Sequence, residues 1–168
     1  MPATLDSLNW SRLVPLAIMA VSVGALGMAY VAEYAFGLEP CPLCLYQRVP
    51  YGVTLALGLA ALVAPWGAIR AAAVALAGAA FLIGADIAVH HVGVERHWWA
   101  SVAACGGALP ADMTVAELRA ALAGPPAKPC DAVDWTLFGV SMAGYNAVVS
   151  ILLAGAALAG AWRIRKVS

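Results

Sequence analysis

The stretch LVPLAIMAVSVGALGMAYVA, residues 13–32, has no charged side chain between Arg12 and Glu33. Twenty apolar residues in a helix rise about 30 Å, the thickness of a bilayer's hydrocarbon core. The run shows no period-two alternation, and an open strand in lipid would leave its backbone unpaired, so it reads as a helix. The pattern recurs outward from there. Arg48 and Arg70 bound the uncharged residues 49–69; 71–85 and 87–94 flank Asp86; Asp134 and Arg163 bound 135–162. The expectation is an all-α membrane protein, a single integral domain over 1–168. It would be a four-transmembrane-helix bundle with spans near 13–36, 48–65, 70–93 and 137–162. Strands are not expected. Small residues one turn apart, such as Ala73 and Ala77, suit close helix approach.

Composition agrees. Of 168 residues 64% are hydrophobic and 11% charged, with mean hydropathy +0.87. Soluble domains are about 45–50% apolar and about 25% charged, so a soluble or disordered chain is excluded. Nine Lys/Arg balance nine Asp/Glu, which leaves no basic footprint for nucleic acid. The first span exceeds the roughly 7–15 residues of a signal-peptide core, so an uncleaved signal anchor is expected.

An even number of spans puts both termini on one side. That side holds Arg12, Arg70, Arg163, Arg165 and Lys166 in short loops; the other holds Arg48, Arg96, Arg119 and Lys128 in longer ones. The positive-inside rule makes the termini cytoplasmic. Trp10, Trp66 and Trp162 then mark the inner interface and Trp98, Trp99 and Trp135 the outer one, as interfacial tryptophans should. Two loops face outward, 37–47 and 94–136. The longer contains Thr114-Val-Ala-Glu117, a capping-box pattern, ahead of Leu118-Arg-Ala-Ala-Leu122. This predicts a short amphipathic helix on the membrane surface, ended by Gly124-Pro125-Pro126.

All four cysteines fall in the outward loops: Cys41 and Cys44 in the short one, Cys105 and Cys130 in the long one. Disulfides persist outside the cytosol, so the placement points to thiol–disulfide chemistry or to a disulfide scaffold. A Cys105–Cys130 bridge would close a long loop, worth roughly 3.5 kcal/mol in the chain-entropy model. A Cys41–Cys44 bridge would contribute roughly 2 kcal/mol before strain. The C-x-x-C pair is thus a weak staple and a common redox device, whereas the long-loop pair alone would read as a staple. Cys44 lies just before the second span, where a helix dipole favours a thiolate, and Arg48 is one turn on. Arg48 also reads as a snorkelling interface cation. Leu45 stands where a haem-attachment motif needs His, the long-loop cysteines are too far apart for a zinc site, and no nucleotide motif is present. No metal is expected. A membrane-soluble quinone reaching Cys44 at the bilayer edge is the natural electron acceptor.

Cys41-Pro42-Leu43-Cys44-Leu45-Tyr46-Gln47-Arg48 resembles the DsbB family of inner-membrane disulfide-bond oxidoreductases, matching C-x-L-C-x-x-Q/E-R at every fixed position. The four-span layout and second outer Cys pair resemble the family as well. The resemblance implies that a reduced, DsbA-like thioredoxin-fold periplasmic protein attacks a Cys105–Cys130 disulfide, with Cys105 joined to the partner. Cys130 then exchanges with Cys41, and Cys44, as thiolate, engages bound quinone (ubiquinone or menaquinone). Gln47, Arg48 and His91 would hold the quinone, the last because His91-Val-Gly-Val-Glu95 is similar to a family stretch. Asp86 and His90, four residues apart, read either as a proton relay or as a self-satisfying pair, and Glu33 as a residue satisfied near the outer interface. Two other functions fit the cysteines: a four-span scaffold with a stapled outer loop, and a relay that passes electrons outward from a membrane reductant.

Overall fold

The computed structural model describes residues 3–101, 114–116, 119 and 128–167, with backbone only for 3–9 and 167. Four long helices account for most of them: α1 (Ala3–Phe36), α2 (Pro42–Val63), α3 (Gly67–Glu95) and α4 (Met142–Val167). Cys105 and most of the expected 114–122 helix lie outside the described residues; Val115, Ala116 and Arg119 are helical.

Three segments, Trp10–Phe36, Gly67–Glu95 and Met142–Lys166, are long and apolar enough to cross a membrane. The second expected span does not reach that standard. Its 22-residue helix is long enough, but its first turns carry Tyr46, Gln47, Arg48 and Tyr51. These polar residues build the site described below.

Helix α1 starts ten residues before the expected 13 and α4 ends five beyond the expected 162. Two further boundaries differ for local reasons. Helix α2 starts six residues early, because Pro42 occupies its first position and Cys41 caps it, the Cys44 amide donating to the Cys41 sulfur at 3.3 Å. The last helix starts five residues late. Residues 136–141 form a hairpin instead, β1 (Thr136–Leu137) pairing antiparallel with β2 (Val140–Ser141). Phe138 and Gly139, with φ of 50° and 75°, supply the two left-handed residues that a tight hairpin turn needs. Charge spacing carries no sign of that turn.

α3 packs most extensively on α4, then on α2, while α1 leans chiefly on α2. The core runs through Phe81, Val74, Ala77, Ala61, Ala157 and Ile164. Ala73 and Ala77 are buried in it, as expected for small residues at a helix contact. A Cβ on Gly78 would stand 2.9 Å from the Leu158 side chain, so α3 and α4 approach as closely as they do only because that position is glycine. Leu13, Val23, Met28, Ile83 and Leu152 are exposed on the outer faces, as lipid contact requires. At the opposite end of α2, Arg70 donates to the carbonyls of Ala61 and Ala64 at 3.0 and 2.8 Å, satisfying acceptors that the helix end would otherwise orphan.

Candidate active site

The cap of α2 brings the C-x-x-C pair together. In the first helical turn residues i and i+3 share a face, and the two sulfurs stand 2.8 Å apart as free thiols, beyond the roughly 2.05 Å of a disulfide. The sulfurs differ in surroundings. Cys41 is buried in a small cluster with Leu43, Val94 and Cys130. Cys44 is half-buried and packs against the same cluster, and both cysteines line a cavity. Cys130 is itself disulfide-bonded. Lys128 anchors its segment by donating to the Glu39 carbonyl at 3.0 Å and pairing with Asp134.

His91, near the C-terminal end of α3, is 4% exposed and joins these pieces. Its Nε2 lies 3.1 Å from the backbone oxygen of Cys130 and 3.6 Å from the Cys41 sulfur. Its Nδ1 meets the Gln47 amide nitrogen at 2.7 Å. Gln47 lies one turn after Cys44, which explains how a residue of the octapeptide reaches a histidine far along the chain. The sulfurs of Cys41 and Cys44 and a His91 ring nitrogen lie within 4.8 Å of one another. Because the carbonyl of Cys130 can only accept, His91 Nε2 donates there and offers no lone pair to a metal. The set reads as a thiol pair with a hydrogen-bond donor.

The Cys41 thiol is lowered from 9.0 to about 4, chiefly by the hydrogen bond it shares with Cys44; burial opposes the shift, and the His91 ring and the Cys44 amide reinforce it. The amide contribution comes from the cap position, where the Cys41 sulfur accepts from the Cys44 N–H. Arg48, expected to assist Cys44, donates to Glu33 at 2.6 Å and lies over the Tyr30 ring at 5.0 Å.

Neither the relay nor the self-satisfying pair read for Asp86 and His90 assembles. Among the described residues Asp86 and His90 make no hydrogen bond or ion pair with each other. Asp86 is exposed, His90 stacks on Trp99 at 5.8 Å, and the Nε2 of His90 has no partner. Glu33, read as a satisfied residue, takes Arg48 as its partner. Two contributors went unnoticed in the sequence. Asn146 of α4 donates to the Gln47 oxygen at 2.5 Å, and Tyr51 donates to Asn146 at 2.6 Å. Tyr51 is four residues after Gln47, hence on one helix face, and Asn146 is an amide in an apolar run; both were readable signals of a polar contact between helices.

Beside the pair lies a cavity of roughly 230 Å³ between α1, α2 and α4. Cys44, Gln47, Arg48 and Asn146 contribute its polar end, and Leu26, Met28 and other apolar residues of α1 its wall.

The family model for disulfide bond formation protein DsbB matches residues 11–160. The chain belongs to the DsbB family. It is similar to the disulfide bond formation protein B of Acinetobacter baumannii, 32% identical over 84% of this chain and 85% of that one. The same-named protein of Xanthomonas campestris is 37% identical over 78% of each chain, and that of Albidiferax ferrireducens 30% identical over 87% and 84%. No solved structure matches. Family membership and the three apolar helices make this a membrane disulfide-bond formation protein, a disulfide oxidoreductase.

Proposed function

We propose that this chain reoxidises a periplasmic DsbA-type thioredoxin-fold oxidase and passes the electrons to a quinone of the bacterial inner membrane. One observation carries the reading. The Cys41–Cys44 pair packs against buried Cys130 and also lines the cavity, so it stands between the cysteine from which electrons can enter and the space into which they can leave. In this reading α2 is the fourth span, the termini are cytoplasmic and the cysteines periplasmic.

The exchange balances as follows. The partner's dithiol reduces a Cys105–Cys130 disulfide, leaving oxidised partner and two thiols. The Cys130 thiolate attacks Cys41 of the Cys41–Cys44 disulfide, and Cys44 leaves as thiolate. Cys105 then resolves the Cys41–Cys130 bond, restoring its own disulfide and leaving Cys41 and Cys44 reduced, which is the state described above. A bound quinone would accept two electrons and two protons from that pair. The cavity fits such a molecule, with an apolar wall for its ring and tail and Arg48 beside Cys44 for a carbonyl. Glu33 holds the guanidinium in place. Gln47 and His91, bonded to each other, close the wall nearest the sulfurs.

The test is quinone reduction by purified protein, driven by a reduced periplasmic oxidase. Cys44→Ser should lower turnover by on the order of a thousandfold or more. Normal turnover in that variant would overturn the assignment.

A further inference from the structure

His91 is held by groups whose chemistry leaves each a single role. The Cys130 carbonyl, 3.1 Å from Nε2, can only accept, so Nε2 carries a proton. In the neutral ring Nδ1 is then a bare acceptor, and Gln47 must turn its NH₂ toward it, at 2.7 Å. The Gln47 oxygen therefore faces α4, where Asn146 Nδ2 donates to it at 2.5 Å. The Asn146 oxygen in turn accepts from the Tyr51 hydroxyl at 2.6 Å and the Ser150 hydroxyl at 3.3 Å. This ladder crosses α4, α2 and α3 and ends at Cys41, 3.6 Å from the same Nε2–H. Gln47, His91 and Ser150 are buried, so water does not replace a lost rung without cost.

We propose that Asn146 is a positioning residue for the thiol exchange: acting through Gln47, it fixes His91 with its proton on Nε2, so that one ring donor holds the Cys41 sulfur and the Cys130 backbone together. The proposal rests on the exchange described above and extends it to a residue that touches neither sulfur. A sulfur that is attacked or released gains from a donor already aimed at it. The other titratable groups facing this point are Cys44, Lys128 and Glu95. The Glu95 carboxylate lies 3.9 Å from Nε2 and accepts from Ser141 at 2.5 Å, so it too favours the proton on Nε2.

Asn146→Asp tests this, because it keeps the shape and removes the donor. A carboxylate can only accept, so Gln47 must turn its NH₂ toward α4 and its oxygen toward His91, which then needs a proton on Nδ1. Nitrogen-15 NMR of the His ring in the full chain in detergent, assigned with His91→Asn, should show bare Nδ1 and protonated Nε2 in the unsubstituted protein. In Asn146→Asp it should show protonated Nδ1 and bare Nε2, the hydrogen bond to the Cys130 carbonyl being lost with that proton. The midpoint pH for alkylation of Cys41, localised by peptide fragmentation, should rise by about one unit, a tenfold change. Should Asn146→Asp fold poorly, Asn146→Ala frees Gln47 to rotate and should show both tautomers. A proton on Nδ1 in the unsubstituted protein, an unchanged ring in both variants, or an unchanged Cys41 midpoint in Asn146→Asp would overturn the proposal. None of these readouts requires turnover. Failure here is therefore distinct from failure of the quinone reading, which Cys44→Ser decides.

Discussion

At Gly78, α3 meets α4 through shape alone: a glycine, the Leu158 side chain and the alanines around it, with no directed bond between the helices. About 20 Å further along α3, at His91, contact is made almost wholly by directed bonds, each with a donor and an acceptor in assigned places. The first contact tolerates polar chemistry nowhere and depends on volume. The second depends on which atom carries a proton. Stability and reactivity are thus lodged at different levels of one bundle, and each can be perturbed with the other as control.

The widest separation is expected in the pH response of Cys41. A thiol at its ordinary 9.0 would lose about a hundredfold of its thiolate between pH 8 and pH 6. Cys41, lowered to about 4, should stay anionic through that range and be alkylated at a nearly constant rate, falling only as pH approaches 4. The sign for stability follows. Between about 4 and about 9 the unfolded chain binds the proton that the folded one has released, so the reduced protein should become more stable as pH rises through that window. The stability is lost as pH falls toward 4. Alkylation kinetics with the sites resolved by mass spectrometry checks the first expectation. A hundredfold fall between pH 8 and 6 would place the thiolate elsewhere.

Gly78→Val should do the converse. A branched side chain where a Cβ already stands 2.9 Å from Leu158 overpacks the helix contact, at a cost of about 1–3 kcal/mol. Thermal unfolding in detergent should shift to lower temperature while the Cys41 alkylation profile of the folded fraction keeps its shape. A displaced profile would mean that the two levels of the bundle are mechanically linked.

The same division explains what could be read from the sequence. Helix number and approximate position follow from charge spacing, because an uncharged run of sufficient length has few alternatives. Burial of Ala73 and Ala77 follows from their one-turn spacing. The Phe138–Gly139 turn was hidden because its residues sit inside an uncharged window that looks like helix. The cap at Cys41 was hidden for a different reason. Pro42 could have marked the first helical position, but the charge boundary at Arg48 drew the expected start six residues too far along the chain. Asp86 and His90 have the spacing of a pair, yet Trp99 takes the face of His90. Gln47, His91 and Asn146 are each visible as polar residues at the edge of apolar runs. Their ladder exists only because α2, α3 and α4 converge there, and no one-dimensional pattern encodes that convergence.

The smallest effect is expected at the docked segment. Lys128 ties residues 128–134 to the short loop through the Glu39 carbonyl and Asp134, and so holds Cys130 above Cys41. Both partners of the ion pair are partly exposed, so water screens it and the pair contributes at most about 1 kcal/mol. His91 also grips the Cys130 backbone from below, and Cys130 itself is buried against Leu43 and Val94. Lys128→Ala should therefore slow electron transfer from Cys130 to Cys41 only about twofold, measured as the rate at which a Cys41–Cys130 mixed disulfide is trapped. The same rate should change little with added salt. A loss of tenfold or more, or a steep salt dependence, would mean that Cys130 is held by surface charge and not by the buried ladder. The contrast between the two levels of the bundle would then have to be redrawn at the loop.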